Sequence, residues 1–79
     1  MFTNKAANGT NNLCGRNIYA FRKNMGISQR ELADKLQIQG LDVDKNAVQR
    51  IEAGKRFVTD IELSVIATVF KRPLDELIM

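Results

Sequence analysis

Histidine and tryptophan are absent from this chain of 79 residues, and cysteine, proline and tyrosine each occur once. These shortages exclude whole classes of chemistry. With no histidine and with Cys14 as the lone thiol, neither a structural zinc centre nor an internal disulfide framework can form. A nucleophile activated by histidine is excluded on the same ground. No Ser–Lys pair, paired-carboxylate site or glycine-rich phosphate loop stands out either. The chain is therefore expected not to be an enzyme and to carry no metal and no cofactor. A single cysteine close to a polar N-terminal stretch suits a reducing compartment. No apolar run approaches membrane-spanning length, and the first residues lack the apolar core of a signal peptide. The expected location is the cytoplasm, without a membrane partner.

Strand patterning is missing as well, since no segment alternates apolar and polar residues for long enough to argue for a sheet. The sequence holds a series of helix starts instead. Ser28 with Glu31, and Thr59 with Glu62, have the spacing of a capping box, in which each side chain satisfies an amide of the other's turn. Asp44 is an N-cap without the reciprocal glutamate. Each start also carries an apolar staple: Ile27 with Leu32, Val43 with Val48, and Val58 with Leu63. Helices are accordingly predicted over residues 28–39, 44–53 and 59–70. Upstream, residues 16–25 carry Ile18, Phe21 and Met25 on one stripe, with Gly26 suited to a left-handed end. Downstream, Pro73 suits a first helical position, and Leu74, Leu77 and Ile78 give a short apolar face. The fold class is all-α, with five short helices in one small domain. Residues 1–14, rich in Asn, Thr and Gly and without periodicity, are expected to be a flexible tail preceding a domain over 15–79.

Two charges interrupt the apolar stripes. Arg22 lies among Ile18, Phe21 and Met25, and Glu52 lies beside Val48 and Ile51. Buried charge is tolerable when paired and hydrogen-bonded, so Arg22 and Glu52 are expected to lock the first helix against the third. The plainer alternative is that each runs out to solvent along its stem.

Residues 26–56 then read as two amphipathic helices joined by a glycine-bearing turn, the outline of a helix-turn-helix. With Val48 and Ile51 inward and Ala47 at the boundary, Lys45, Asn46, Gln49 and Arg50 face out. Their chemistry fits base edges: Arg can bond both acceptors of guanine, and Asn or Gln the donor–acceptor pair of adenine. A solvated polar face would look the same. The net charge is only +3, from 12 basic and 9 acidic residues, so distribution matters more than the total. Residues 45–56 hold Lys45, Arg50, Lys55 and Arg56 against Glu52 alone, which suits a phosphate surface. Gln29, Lys55, Arg56 and Thr59 are the expected phosphate contacts. Capping alone would also account for Thr59, and surface placement for Gln29.

These residues resemble the lambda-repressor-like helix-turn-helix family, the Cro or Xre type. The motifs that carry the likeness are R-x-x-x-G-I-S-Q-x-E-L-A-x-K-L from Arg22 to Leu36, V-x-x-x-A-V-x-R-I-E-x-G-K-R from Val43 to Arg56, and P-L-D-E-L-I from Pro73 to Ile78. The resemblance implies a compact five-helix domain in a small transcriptional regulator of prokaryotic or phage type. It implies a double-stranded DNA operator read by Lys45, Asn46 and Arg50, with Gln49 next and Gln29 near a phosphate. It also implies that the Arg22–Glu52 pair is a recurring core feature and that operators are bound as two-fold dimers. Residues 37–42, QIQGLD, lengthen the usually tight turn between helices two and three. Helix two is expected to run on to Gln39, with Gly40 ending it and Leu41 tucked inward.

The fourth helix is apolar on two sides, with Leu63, Ile66, Ala67 and Phe70 on one stripe and Ile61, Val65 and Val69 on another. Packing on the fifth helix explains the second stripe, as does a homodimer patch shared with Leu74, Ile78 and Met79. The alternative function is an antitoxin or other protein-interaction module of the same fold, with a toxin as partner.

Overall fold

The computed structural model describes residues 9–78. Its helices are α1 (Gly15–Met25), α2 (Gln29–Ile38), α3 (Lys45–Glu52), α4 (Asp60–Phe70) and α5 (Leu74–Ile78), and the described residues contain no strand. The chain is all-helical, and capping chemistry sets where the three middle helices begin. Ser28 Oγ accepts the Glu31 amide at 3.0 Å while Glu31 Oε1 accepts the Ser28 amide at 2.9 Å. Thr59 Oγ1 and Glu62 Oε1 repeat the exchange at 3.2 and 3.0 Å, and Asp44 Oδ1 accepts the Ala47 amide at 2.8 Å. The backbone amide of Ser28 holds the Glu31 carboxyl below the ordinary glutamate range.

The helix ends share one device. After α1, α2, α3 and α4 the chain closes with paired backbone bonds back into the last turn, the Schellman arrangement. The bonds are Ile27 to Arg22 with Gly26 to Lys23, Leu41 to Leu36 with Gly40 to Gln37, Lys55 to Arg50 with Gly54 to Ile51, and Arg72 to Ala67 with Lys71 to Thr68. The geometry needs one left-handed residue. Gly26, Gly40 and Gly54 supply it in three cases and Lys71, at φ 56°, in the fourth.

Ile18, Leu32, Leu36, Val48, Ile51, Ile66 and Leu77 form the fully buried centre. Phe21 and Phe70 meet beside it with ring centroids 5.6 Å apart. α3 packs on α2 and α1, α4 packs on α2 and α5, and α5 closes back on α1. Three apolar stripes are used differently from expectation. Met25 is 44% exposed, because the chain reverses at Gly26 and Ile27 packs on the core at that end instead. Leu74 and Ile78 are also exposed, since a five-residue helix turns only Leu77 fully inward. Val65 and Val69 pack on the core but Ile61 lies outside it. Met79, suggested for the α5 patch, lies outside the described residues.

Packing extends upstream of residue 15. Cys14 is buried in the core, and Asn11 and Asn12 hydrogen-bond to the chain at the end of α3. Their polar composition reads as a tail, but amide side chains are suited to satisfying carbonyls at a helix end. The rest of the expected tail, residues 1–8, lies outside the described residues. In the lengthened turn α2 stops at Ile38, with Gln39 as its cap, and Leu41 packs on the core. Gln37 Nε2 donates to the Val43 carbonyl at 2.7 Å and ties the turn together.

Candidate nucleic-acid interface

α3 divides its residues cleanly. Val48 and Ile51 are buried, Ala47 is half-buried, and Lys45, Asn46, Gln49 and Arg50 are exposed. Asn46, Gln49, Arg50, Ala53 and Lys55 line one shallow depression of about 440 Å³. It combines amide donors and acceptors with two cations, the chemistry that base edges and a flanking phosphate require. Lys45 faces elsewhere. It borders a wider hollow of about 680 Å³ at the start of α2, together with Lys23, Ser28, Gln29 and Arg30. There the start of α2, its Ser28 and Glu31 amides already capped, meets three ammonium or guanidinium groups and the Glu31 carboxylate, a net positive rim. No motif in the sequence brings Lys23 and Arg30 together. They lie in different helices, and only the chain reversal at Gly26 joins them.

Behind this hollow sits a buried polar chain. Arg22 Nε donates to Glu52 Oε2 at 2.7 Å and its NH2 group to Oε1 at 3.0 Å, while NH1 donates to the Ile27 carbonyl at 2.9 Å. Both side chains are under 10% exposed. The hydrogen bond to Glu52 raises the Arg22 pKa further, so the guanidinium stays charged. The Tyr19 ring lies 5.4 Å from that guanidinium. Gln29 joins the chain, its Nε2 donating to Glu52 Oε1 at 3.0 Å. One carboxylate from α3 therefore holds α1 and also orients the first residue of α2.

The remaining expected phosphate contacts separate. Lys55 is exposed just past Gly54 and makes no ion pair among the described residues. Arg56 is tied inward: NH2 meets Glu62 Oε2 at 2.8 Å, and NH1 meets Oε1 at 3.1 Å and the Phe57 carbonyl at 3.2 Å. Arg56 holds the Glu62 carboxyl below its ordinary range, assisted by the Thr59 amide. Arg56 is thus held at the start of α4. Thr59 is exposed, with its hydroxyl already accepting the Glu62 amide.

The described residues contain no cluster able to hold a metal, and no helix is long and apolar enough to cross a membrane. Burial pushes the Cys14 thiol up to about 11, which leaves it a neutral core group. A family model described as helix-turn-helix matches residues 18–77. No curated protein and no solved structure matches the chain.

Proposed function

Because the chain belongs to the Cro/C1-type, lambda-repressor-like helix-turn-helix family, a DNA-binding and not an enzymatic one, we propose that it is a sequence-specific transcriptional regulator that lays α3 in the major groove of an operator. One observation carries the reading: α3 buries Val48 and Ile51 while leaving Lys45, Asn46, Gln49 and Arg50 facing solvent on its other side. In this reading Asn46, Gln49 and Arg50 read base edges, and Lys45 reaches a base or the adjoining phosphate. Gln29 keeps a second amide hydrogen for a phosphate at the start of α2, beside Lys23 and Arg30. Lys55 and Thr59 meet the backbone on the far side, and Arg56 acts by holding Glu62. Its place of action is the cytoplasm, at the chromosome.

A second copy of the chain is the proposed protein partner. Phe57, Ile61, Leu74 and Ile78 are large apolar side chains exposed in the loop before α4, on α4 and on α5. Two-fold pairing through them would place two α3 helices on a palindromic site. If those residues cover a toxin instead, the isolated chain would sediment as a monomer and capture one stoichiometric partner.

Selection of bound sequences from a random duplex pool tests the function. The expected result is an enriched, palindromic consensus whose binding weakens steeply as salt rises. No enrichment in low-salt buffer would defeat the reading.

A further inference from the structure

The carbonyls at the end of α3 and in the loop beyond it are unusually well occupied for a short surface connection. Such groups ordinarily turn to water. Here two residues from before α1 take four of them. The Asn11 amide donates to the Gly54 carbonyl at 2.8 Å and Asn11 Nδ2 to the Lys55 carbonyl at 3.0 Å. Asn12 Nδ2 donates to the Ile51 carbonyl at 3.1 Å and the Arg56 carbonyl at 2.8 Å. Asn12 Oδ1 meanwhile accepts the Gly15 amide at 2.8 Å, so one side chain serves both the start of α1 and the end of α3. The approach is close: a Cβ on Gly54 would come within 2.8 Å of Thr10 Cγ2. Arg56 also clamps the same loop to Glu62. Between the two clamps the exposed Lys55 projects, on the rim of the depression lined by Asn46, Gln49 and Arg50.

We propose that Asn12, with Asn11, is a positioning element of the DNA surface. The pair fixes the backbone of residues 51–56 so that Lys55 and the end of α3 meet the duplex in one geometry. The inference rests on the DNA reading above and assigns that site a determinant outside the family-matched residues 18–77.

Asn12→Ser separates positioning from mere folding. The serine hydroxyl can still accept the Gly15 amide, but it is too short to reach the carbonyls of Ile51 and Arg56. Affinity for the selected duplex would be measured by fluorescence anisotropy across a salt series, at a temperature where circular dichroism shows every variant folded. Asn12→Ser should weaken binding roughly three- to tenfold and lower the salt slope by about one phosphate contact. Adding Lys55→Ala to Asn12→Ser should bring little further loss, because Lys55 is no longer aimed. A folded Asn12→Ser protein with wild-type affinity and slope would overturn the proposal, as would losses that simply add. Should Asn12→Ser not fold, Asn11→Ala, which removes the donor to the Lys55 carbonyl together with a buried Oδ1 that has no partner among the described residues, enters the same cycle with the same direction of change expected. Amide exchange in the free protein gives a readout without DNA. The Gly54 and Lys55 amides, bonded to the Ile51 and Arg50 carbonyls, and the Asn11 amide, bonded to the Gly54 carbonyl, should exchange faster in the variant while α2 is unchanged, and equal protection would overturn the clamp. Wild-type protein that binds no duplex fails the DNA reading itself, and that is seen before any variant is compared.

Discussion

Glu52 receives Arg22 through two hydrogen bonds, 2.7 Å at Oε2 and 3.0 Å at Oε1, at a place where neither side chain is more than 8% exposed. A charge pair this far from water stabilises little in itself, because desolvation offsets most of the attraction, yet breaking it strands a buried charge. Arg22→Ala should therefore destabilise the domain by about 3–5 kcal/mol in urea unfolding. The double variant Arg22→Met, Glu52→Leu should recover most of that loss. It should not recover operator affinity, because Gln29 loses the carboxylate that orients it. Full recovery of both would show that the pair serves the core alone.

The acid limb of stability should depend on Glu62. Its carboxyl and that of Glu31 both lie below the ordinary value of 4.5 in the folded chain. The unfolded chain thus binds protons first as pH falls. The stability these groups add is complete above the ordinary value and is lost as pH drops through the lower folded-state values. With no histidine, no side chain of ordinary pKa titrates between about pH 5 and about pH 8. The urea midpoint should be flat across that interval and fall below it, and Glu62→Gln should make the fall shallower. An unaltered acid limb in Glu62→Gln would refute the assignment. At the alkaline end the Cys14 thiol, raised from 9.0 to about 11, favours the fold below its unfolded value and loses that contribution as pH climbs through its folded one.

Lys71 closes α4 in a left-handed conformation that glycine adopts after α1, α2 and α3. A residue with a Cβ is strained there by about 1 kcal/mol, part of which glycine returns as unfolded-chain entropy. Lys71→Gly should raise the unfolding free energy by about 0.5 kcal/mol, read as a slightly higher urea midpoint, with no change in operator binding. A loss of stability would mean that the lysine side chain contributes more than its backbone costs.

Much of this architecture is legible in the sequence because its signals are local. A cap and its partner stand three residues apart, so Ser28–Glu31, Thr59–Glu62 and Asp44 mark their helices without tertiary information. Glycine marks three of the four left-handed ends, but the end at Lys71 has no such mark. The charged interruptions at Arg22 and Glu52 are visible as anomalies in apolar stripes. What stays hidden depends on distance in the chain. Asn11 and Asn12 have the composition of a tail, and only a partner about forty residues away makes them a clamp. Arg56 and Glu62 are six apart across a loop whose path no periodicity describes. Lys23, Arg30 and Lys45 gather at one hollow only after three helices pack. Met25 and Ile61 fit apolar stripes that extend past the surface their neighbours cover.

The measurement closest to the centre of this account compares Arg50→Ala with Lys55→Ala on the selected operator and on random duplex at fixed salt. Arg50→Ala should cost about 1–3 kcal/mol on the operator and relax preference at one base pair, while changing random-duplex binding much less. Lys55→Ala should weaken both duplexes alike and reduce the salt slope by about one. Equal losses from Arg50→Ala on operator and random duplex would contradict the claim that the outward face of α3 reads sequence.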